Sequence, residues 1–171
     1  STDDSRKGGS ILLGMWHAIH RKRVPADRKH VVFFTDGDLS ANVAQIGTLI
    51  APIVDGAASC AVGQRYGMEG AVLVKEQGAF TEPLSTGTKP DKVIILFRHF
   101  VRAILIPSLA ELLDTQARFK AFYAAMLERV IPKIHAFKET VDVELLIHCA
   151  QDSAAGKVAL EPIVFTEDFA L

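Results

Sequence analysis

Between Ser10 and His20 the apolar residues fall at 11, 12, 15, 16 and 19, a helical period, with Ser10 as its N-cap. Residues 21–30 are basic and contain Pro25, which predicts an exposed loop. Val31-Val32-Phe33-Phe34 is an unbroken run of β-branched and aromatic residues and predicts a buried strand. The strand runs out at Asp36-Gly37-Asp38. Asn42–Val54 is helical again, with apolar residues at 43, 46, 49, 50 and 53 and Pro52 near its end. Ala57–Val62 is small and apolar, a second buried strand that ends at Gly63-Gln64-Arg65. Strand, helix and strand in that order predict a parallel βαβ unit.

The second half is less regular. Residues 66–91 are rich in Gly and Pro and predict a long loop, with Val72-Leu73-Val74 as a short strand within it. Lys92–Leu113 reads as a helix broken near Pro107, and its Arg98, His99 and Arg102 suit either a core-facing helix or one lying on a membrane surface. Asp114–Lys120 is polar and leads into a helical segment running to about Ile131, with Phe119, Phe122, Tyr123 and Met126 facing the core. Pro132 interrupts it. Val141–Ile147 begins a further helix, and Lys157–Phe165 predicts a strand with Pro162 at a sheet edge.

Composition bounds the rest. The chain has 171 residues, 49% of them hydrophobic, enough for one domain with a real core. A formal net charge of −1 argues against wholesale nucleic-acid binding, so any basic site is local. Cys60 and Cys149 sit in apolar surroundings and read as buried thiols of a reducing compartment rather than a disulfide. No apolar run reaches the roughly 18 residues of a spanning helix, and the amino terminus is too polar for a signal peptide. The expected location is cytoplasmic, with any membrane contact peripheral.

Candidate chemistry starts at the acidic turn. Period-2 geometry points Asp36 and Asp38 to the same side. Two like charges at a buried strand end repel unless a cation lies between them. Carboxylate oxygens suit Mg²⁺ or Mn²⁺, held jointly with substrate phosphates. The same pair also suits a solvated turn. Arg65 ends the second strand, and ligands of such sheets gather at the carboxyl ends of their strands. Its other reading is a surface salt bridge. Lys7-Gly8-Gly9 precedes a helix and offers either an anion approach or a flexible lead-in. Glu144, with Asp142, lies where a helix macrodipole favours carboxylates.

Taken in order, Lys7-Gly8-Gly9, Thr35-Asp36-Gly37-Asp38-Leu39-Ser40, Gly63-Gln64-Arg65, Asp114-Thr115-Gln116 with Phe119-Lys120, and Asp142-Val143-Glu144-Leu145-Leu146 form a set. The set resembles family-2 glycosyltransferases of the GT-A fold, in particular the dolichyl-phosphate (polyprenyl-phosphate) glucosyl- and mannosyltransferases. The resemblance covers nearly the whole chain. It implies an α/β three-layer sandwich around a mostly parallel sheet, of which this chain is the carboxyl-terminal portion. It further implies inverting transfer of a hexose from a UDP- or GDP-sugar to a lipid phosphate or similar acceptor. In that reading Asp38 ligates Mg²⁺ or Mn²⁺ directly, and Asp36 shares the ion or contacts the ribose. Lys7 and Arg65 bind donor phosphates, and Gln116 and Lys120 lie on the acceptor side. A phosphate acceptor is already ionised and needs no strong base. A hydroxyl acceptor needs one, and Asp114 is the first candidate, Glu144 the second.

Three departures accompany the resemblance. Gln64 replaces the family's usual serine, Arg118 stands where a small glycine is usual, and the 66–91 loop differs in spacing. The family also carries a nucleotide-holding part before its lysine-glycine element, so an amino-terminal segment or second chain is an expected partner. Two other readings fit the same residues: a non-catalytic glycosyltransferase-like module, and a nucleotidyltransferase on the same architecture. A kinase or hydrolase is not supported, since the chain shows no phosphate loop, nucleophile elbow or His/Cys metal spacing.

Overall fold

The computed structural model describes residues 7–21, 24–25, 27–76, 111–115, 117–138, 140–152 and 157–168. Helix α1 spans Lys7–Arg21. Its buried stripe is Leu12, Met15 and Ile19, while Leu13 and Trp16 are exposed. The described helix already includes Lys7, Gly8 and Gly9, so Ser10 lies inside it rather than capping it. Gly8 in that turn allows a close approach: a Cβ there would stand 2.7 Å from the backbone of Phe137 and Lys138. Without one, the first turn presses onto that backbone, and Gly9 N–H donates to the Phe137 carbonyl at 3.1 Å.

Strand β1 (Val31–Thr35) follows, then a 3₁₀ turn (Val43–Gln45) and α2 (Ile46–Val54), which runs through Pro52. The Asn42 side chain caps the turn by accepting from Ala44 N–H. Strand β2 spans Ala58–Gln64 and β3 spans Val72–Glu76, which confirms the short strand expected there. Beyond lie β4 (Phe119–Tyr123), α3 (Ala124–Val130) and a 3₁₀ turn at Ile131–Lys133 that contains Pro132. Helix α4 (Val141–Gln151), β5 (Lys157–Pro162) and β6 (Val164–Asp168) complete the described chain. The helix expected over Lys92–Leu113 lies outside the described residues except for its last three positions.

The main sheet has the order β1-β4-β2-β5. Strand β4 runs antiparallel to both β1 and β2, and β2 pairs with β5 in parallel. The α/β class holds, but the sheet is mixed rather than mostly parallel. β1 and β2 share a direction and are not neighbours, because β4 is inserted between them. The helical segment expected to follow Lys120 is preceded and begun by a strand. Phe119, Phe122, Tyr123 and Met126 mimic a helical series, yet the first three belong to a strand and the last to α3. Phe119 through Phe122 are all buried, so the strand shows no alternation by which to recognise it.

Helices cover both faces. Leu12, Met15 and Ile19 of α1 pack with Met126 and Leu127 of α3 and Leu145 and Leu146 of α4 in one core. Leu49 and Ile53 of α2 pack with Ala61, Phe119, Ala121 and Ile163 in the other. The expected single strand at 157–165 is split at Ile163, where the chain leaves the main sheet and pairs with β3 in a second, two-stranded one. Pro162 ends the edge strand β5, as its missing N–H requires. Cys60 and Cys149 are buried thiols, not a disulfide. A hydrogen bond between them, and then burial, push the Cys149 thiol well above its ordinary range. Among the described residues no helix is long and apolar enough to cross a membrane.

Candidate functional site

Three strand ends meet at one edge of the main sheet. β1 and β2 finish there, and β4, running the other way, begins there. Thr35 is the register partner of Phe119, so Asp36 emerges beside Arg118. Arg65 follows the end of β2. The shared edge read from the sequence for Asp36, Asp38 and Arg65 is present, and the 114–118 segment joins it.

Gln64 anchors that segment. Its side chain is fully buried, and its Oε1 accepts from the N–H groups of Leu113 and Asp114 at 3.1 and 3.2 Å. The Arg65 guanidinium then clamps the Asp114 carboxylate with two bonds, Nε to Oδ2 at 2.5 Å and a second nitrogen to Oδ1 at 3.0 Å. Asp114 Oδ1 also accepts from Ala117 N–H at 3.2 Å. Asp114 is buried, and Arg65 lies over the Phe165 ring, 4.9 Å from its centre. The candidate base and the candidate phosphate ligand are thus each other's partners.

The acidic turn is asymmetric. Asp38 is exposed, and its Oδ1 accepts from Ser40 N–H at 3.0 Å, a local Asx turn. Leu39 between them takes a left-handed φ of 58°, costly for a branched side chain. Ser40 ties the turn to β6 by accepting from Thr166 N–H at 2.8 Å. Asp36 is half-buried and accepts from Arg118 at 3.4 Å. Burial raises the Asp36 carboxyl above its ordinary range, and the charges of Asp38 and Asp142 raise it further against the opposing pull of Lys120 and Arg65.

Lys120 lies beneath the site rather than on an open acceptor face. It is fully buried in β4, donates to the Ala117 carbonyl, and bonds Asp142 Oδ1 at 2.9 Å. Asp142, in the first turn of α4, is equally buried. Its Oδ2 has no hydrogen-bond partner and stands 3.7 Å from Arg118 Nε, which has none either.

The remaining candidates are elsewhere or outside the description. Glu144 turns away to accept from the N–H groups of His135 and Ala136, at 3.0 and 2.6 Å. Burial opposes its ionisation, but those bonds outweigh it and bring its carboxyl below the ordinary range. Lys7 opens α1, whose start rests on the 137–138 backbone; its side chain and all of Gln116 lie outside the described residues. The sequence gives no site role to Asp142 or Gln64, and marks Arg118 only as a departure that alters the acceptor pocket rather than as a partner of Asp36. The available signal was a charge inside an apolar run: Lys120 between Phe119 and Ala121, and Asp142 between two valines, each demanding a buried partner.

The residues present do not by themselves fit a divalent ion. Among the described residues no three His, Cys, Asp or Glu side chains are grouped to hold one. Asp36 and Asp38 supply two carboxylates, and the Arg118 guanidinium already bridges Asp36 and Asp142. No protein-family model, curated protein or solved structure matches the chain.

Proposed function

We propose that the chain is a glycosyltransferase domain that moves a hexose from a nucleotide-diphosphate sugar to a polyprenyl phosphate, with inversion at the anomeric carbon. The observation that carries this reading is the pair of guanidiniums at the carboxyl edge of the sheet. Arg65 and Arg118 are each 18% exposed and each backed by a carboxylate buried to 1% exposure. A guanidinium backed by a buried carboxylate can offer its remaining N–H groups to phosphate oxygens and stabilise a departing diphosphate. The GT-A architecture belongs to the same reading. Its support is the helix-covered sheet and a site at the strand ends, where such folds gather ligands.

The acceptor class follows from which carboxylates are engaged. Asp114 is clamped by Arg65, and Glu144 caps the 135–136 backbone. Both carboxylates are already engaged, which favours an acceptor that is already an anion, a lipid phosphate over a sugar hydroxyl. Such an acceptor puts the protein at the cytoplasmic membrane face as a peripheral partner.

The test is transfer from labelled UDP-glucose and GDP-mannose to a short polyprenyl phosphate, with donor binding followed by ligand-observed NMR. One donor is expected to bind and react, and Arg65→Ala is expected to lower kcat/KM by roughly 100-fold. No binding of either donor overturns the reading. A non-catalytic module is favoured by one feature, the Arg118 side chain lying against Asp36, and donor binding without turnover under every condition would select it.

A further inference from the structure

The acidic side of this site already contains a cation. Arg118 enters from the residue before β4 and reaches two carboxylates on different elements, Asp36 after β1 and Asp142 in α4. Both contacts are long, 3.4 and 3.7 Å, against about 2.8 Å for a well-made charge-assisted bond. Two facing atoms, Arg118 Nε and Asp142 Oδ2, are buried and unbonded. An unbonded buried carboxylate oxygen is costly, and it persists here pointing at the guanidinium rather than at solvent. Lys120 secures the other Asp142 oxygen, so Asp142 is held in place while Arg118 is gripped loosely.

We propose that Arg118 is the resident cation of this site: it occupies the place a divalent ion would take beside Asp36, and presents its guanidinium to the diphosphate of the ligand. The proposal rests on the donor reading above for the identity of the ligand, and on the Arg118 geometry for everything else. Arg118 is an anion-binding residue in this account, and Asp142 is the residue that positions it. Diphosphate binding is then independent of divalent metal. The guanidinium is permanently charged, so this contribution does not titrate over the working pH range.

The experiment uses the full chain, with Mn²⁺ alone and inorganic pyrophosphate as probes. By electron paramagnetic resonance the wild type should show no saturable Mn²⁺ binding. Arg118→Ala takes the guanidinium away from Asp36 and should bind Mn²⁺ more tightly than wild type, and Asp36→Asn added to it should abolish that gain. By calorimetry in EDTA the wild type should bind pyrophosphate, and Arg118→Ala should weaken binding by about tenfold or more. Arg118→Lys, which keeps charge without the planar fork, should fall between. If the alanine variant does not fold, Arg118→Gln replaces it, and the wild-type titrations stand alone. Saturable Mn²⁺ binding to the wild type that Asp36→Asn removes overturns the proposal. So does pyrophosphate binding that is absent in EDTA or unchanged by loss of Arg118. The donor reading fails separately, if no sugar nucleotide binds while Mn²⁺ is excluded and pyrophosphate is held through Arg118.

Discussion

Asp36 and Glu144 are both acidic, both near element ends, and both candidates from sequence; their partners separate them. Asp36 has its carboxyl raised, first by burial and then by Asp38 and Asp142. A raised carboxyl keeps its proton more tightly in the folded chain than in the unfolded one. Stability therefore falls as pH climbs from the ordinary carboxylate range through the raised folded value. Asp36→Asn is expected to melt at a higher temperature than wild type at pH 7, with the gap closing near about pH 4. Scanning calorimetry across that range checks it, and a less stable variant at pH 7 would show that the ionised carboxylate supports the fold. Glu144 carries the opposite sign, since its stabilisation is present above the ordinary carboxylate pKa and is lost as pH falls through its lowered folded value. Spacing could nominate these acids but not divide them, because the Ala136 N–H and the Asp142 charge come from elsewhere in the chain. A residue that destabilises its own fold at working pH is what a charged binding site often requires.

Elements were legible where one face was buried and ambiguous where both were. α1 and α2 have a single buried stripe and were recognised by period. β4 is enclosed on both faces, and its aromatic spacing copied a helix that only begins at Ala124. The helix α1 reaches further toward the amino terminus than its apolar period shows, because glycine carries no period, and only the packed structure shows what Gly8 does there. A Cβ on Gly8 would meet backbone atoms at 2.7 Å, whereas one on Gly14 of the same helix meets nothing within 4 Å. Propensity alone says that glycine to alanine in a helix stabilises by about 1 kcal/mol. That gain is expected for Gly14→Ala. Gly8→Ala is expected to lose about 1–3 kcal/mol, as overpacked positions do. Urea unfolding of the two variants decides it, and equal gains would mean that α1 does not seat on the 137–138 segment.

At the scale of the molecule, the strand order makes the site. The strands were largely visible in the sequence, but their neighbours were not: once the segment after Lys120 is taken as helix, β1 and β2 become adjacent and the 114–118 segment has no reason to lie at their ends. With β4 between them, Arg118 and Lys120 come up beside Asp36, and α4 closes over the same edge through Asp142. Lys120 and Asp142 are the joint between sheet and helix layer, both with side chains at most 1% exposed. Breaking a buried pair from one side strands a charge, whereas replacing both members with apolar groups removes the demand. Lys120→Met and Asp142→Leu are each expected to cost roughly 3–5 kcal/mol, and the double variant well under their sum. A double-mutant cycle by chemical denaturation measures the coupling. If the losses simply add, the two side chains do not meet, α4 is not fastened to β4 at this point, and Arg118 loses the carboxylate that holds it at the sheet's edge.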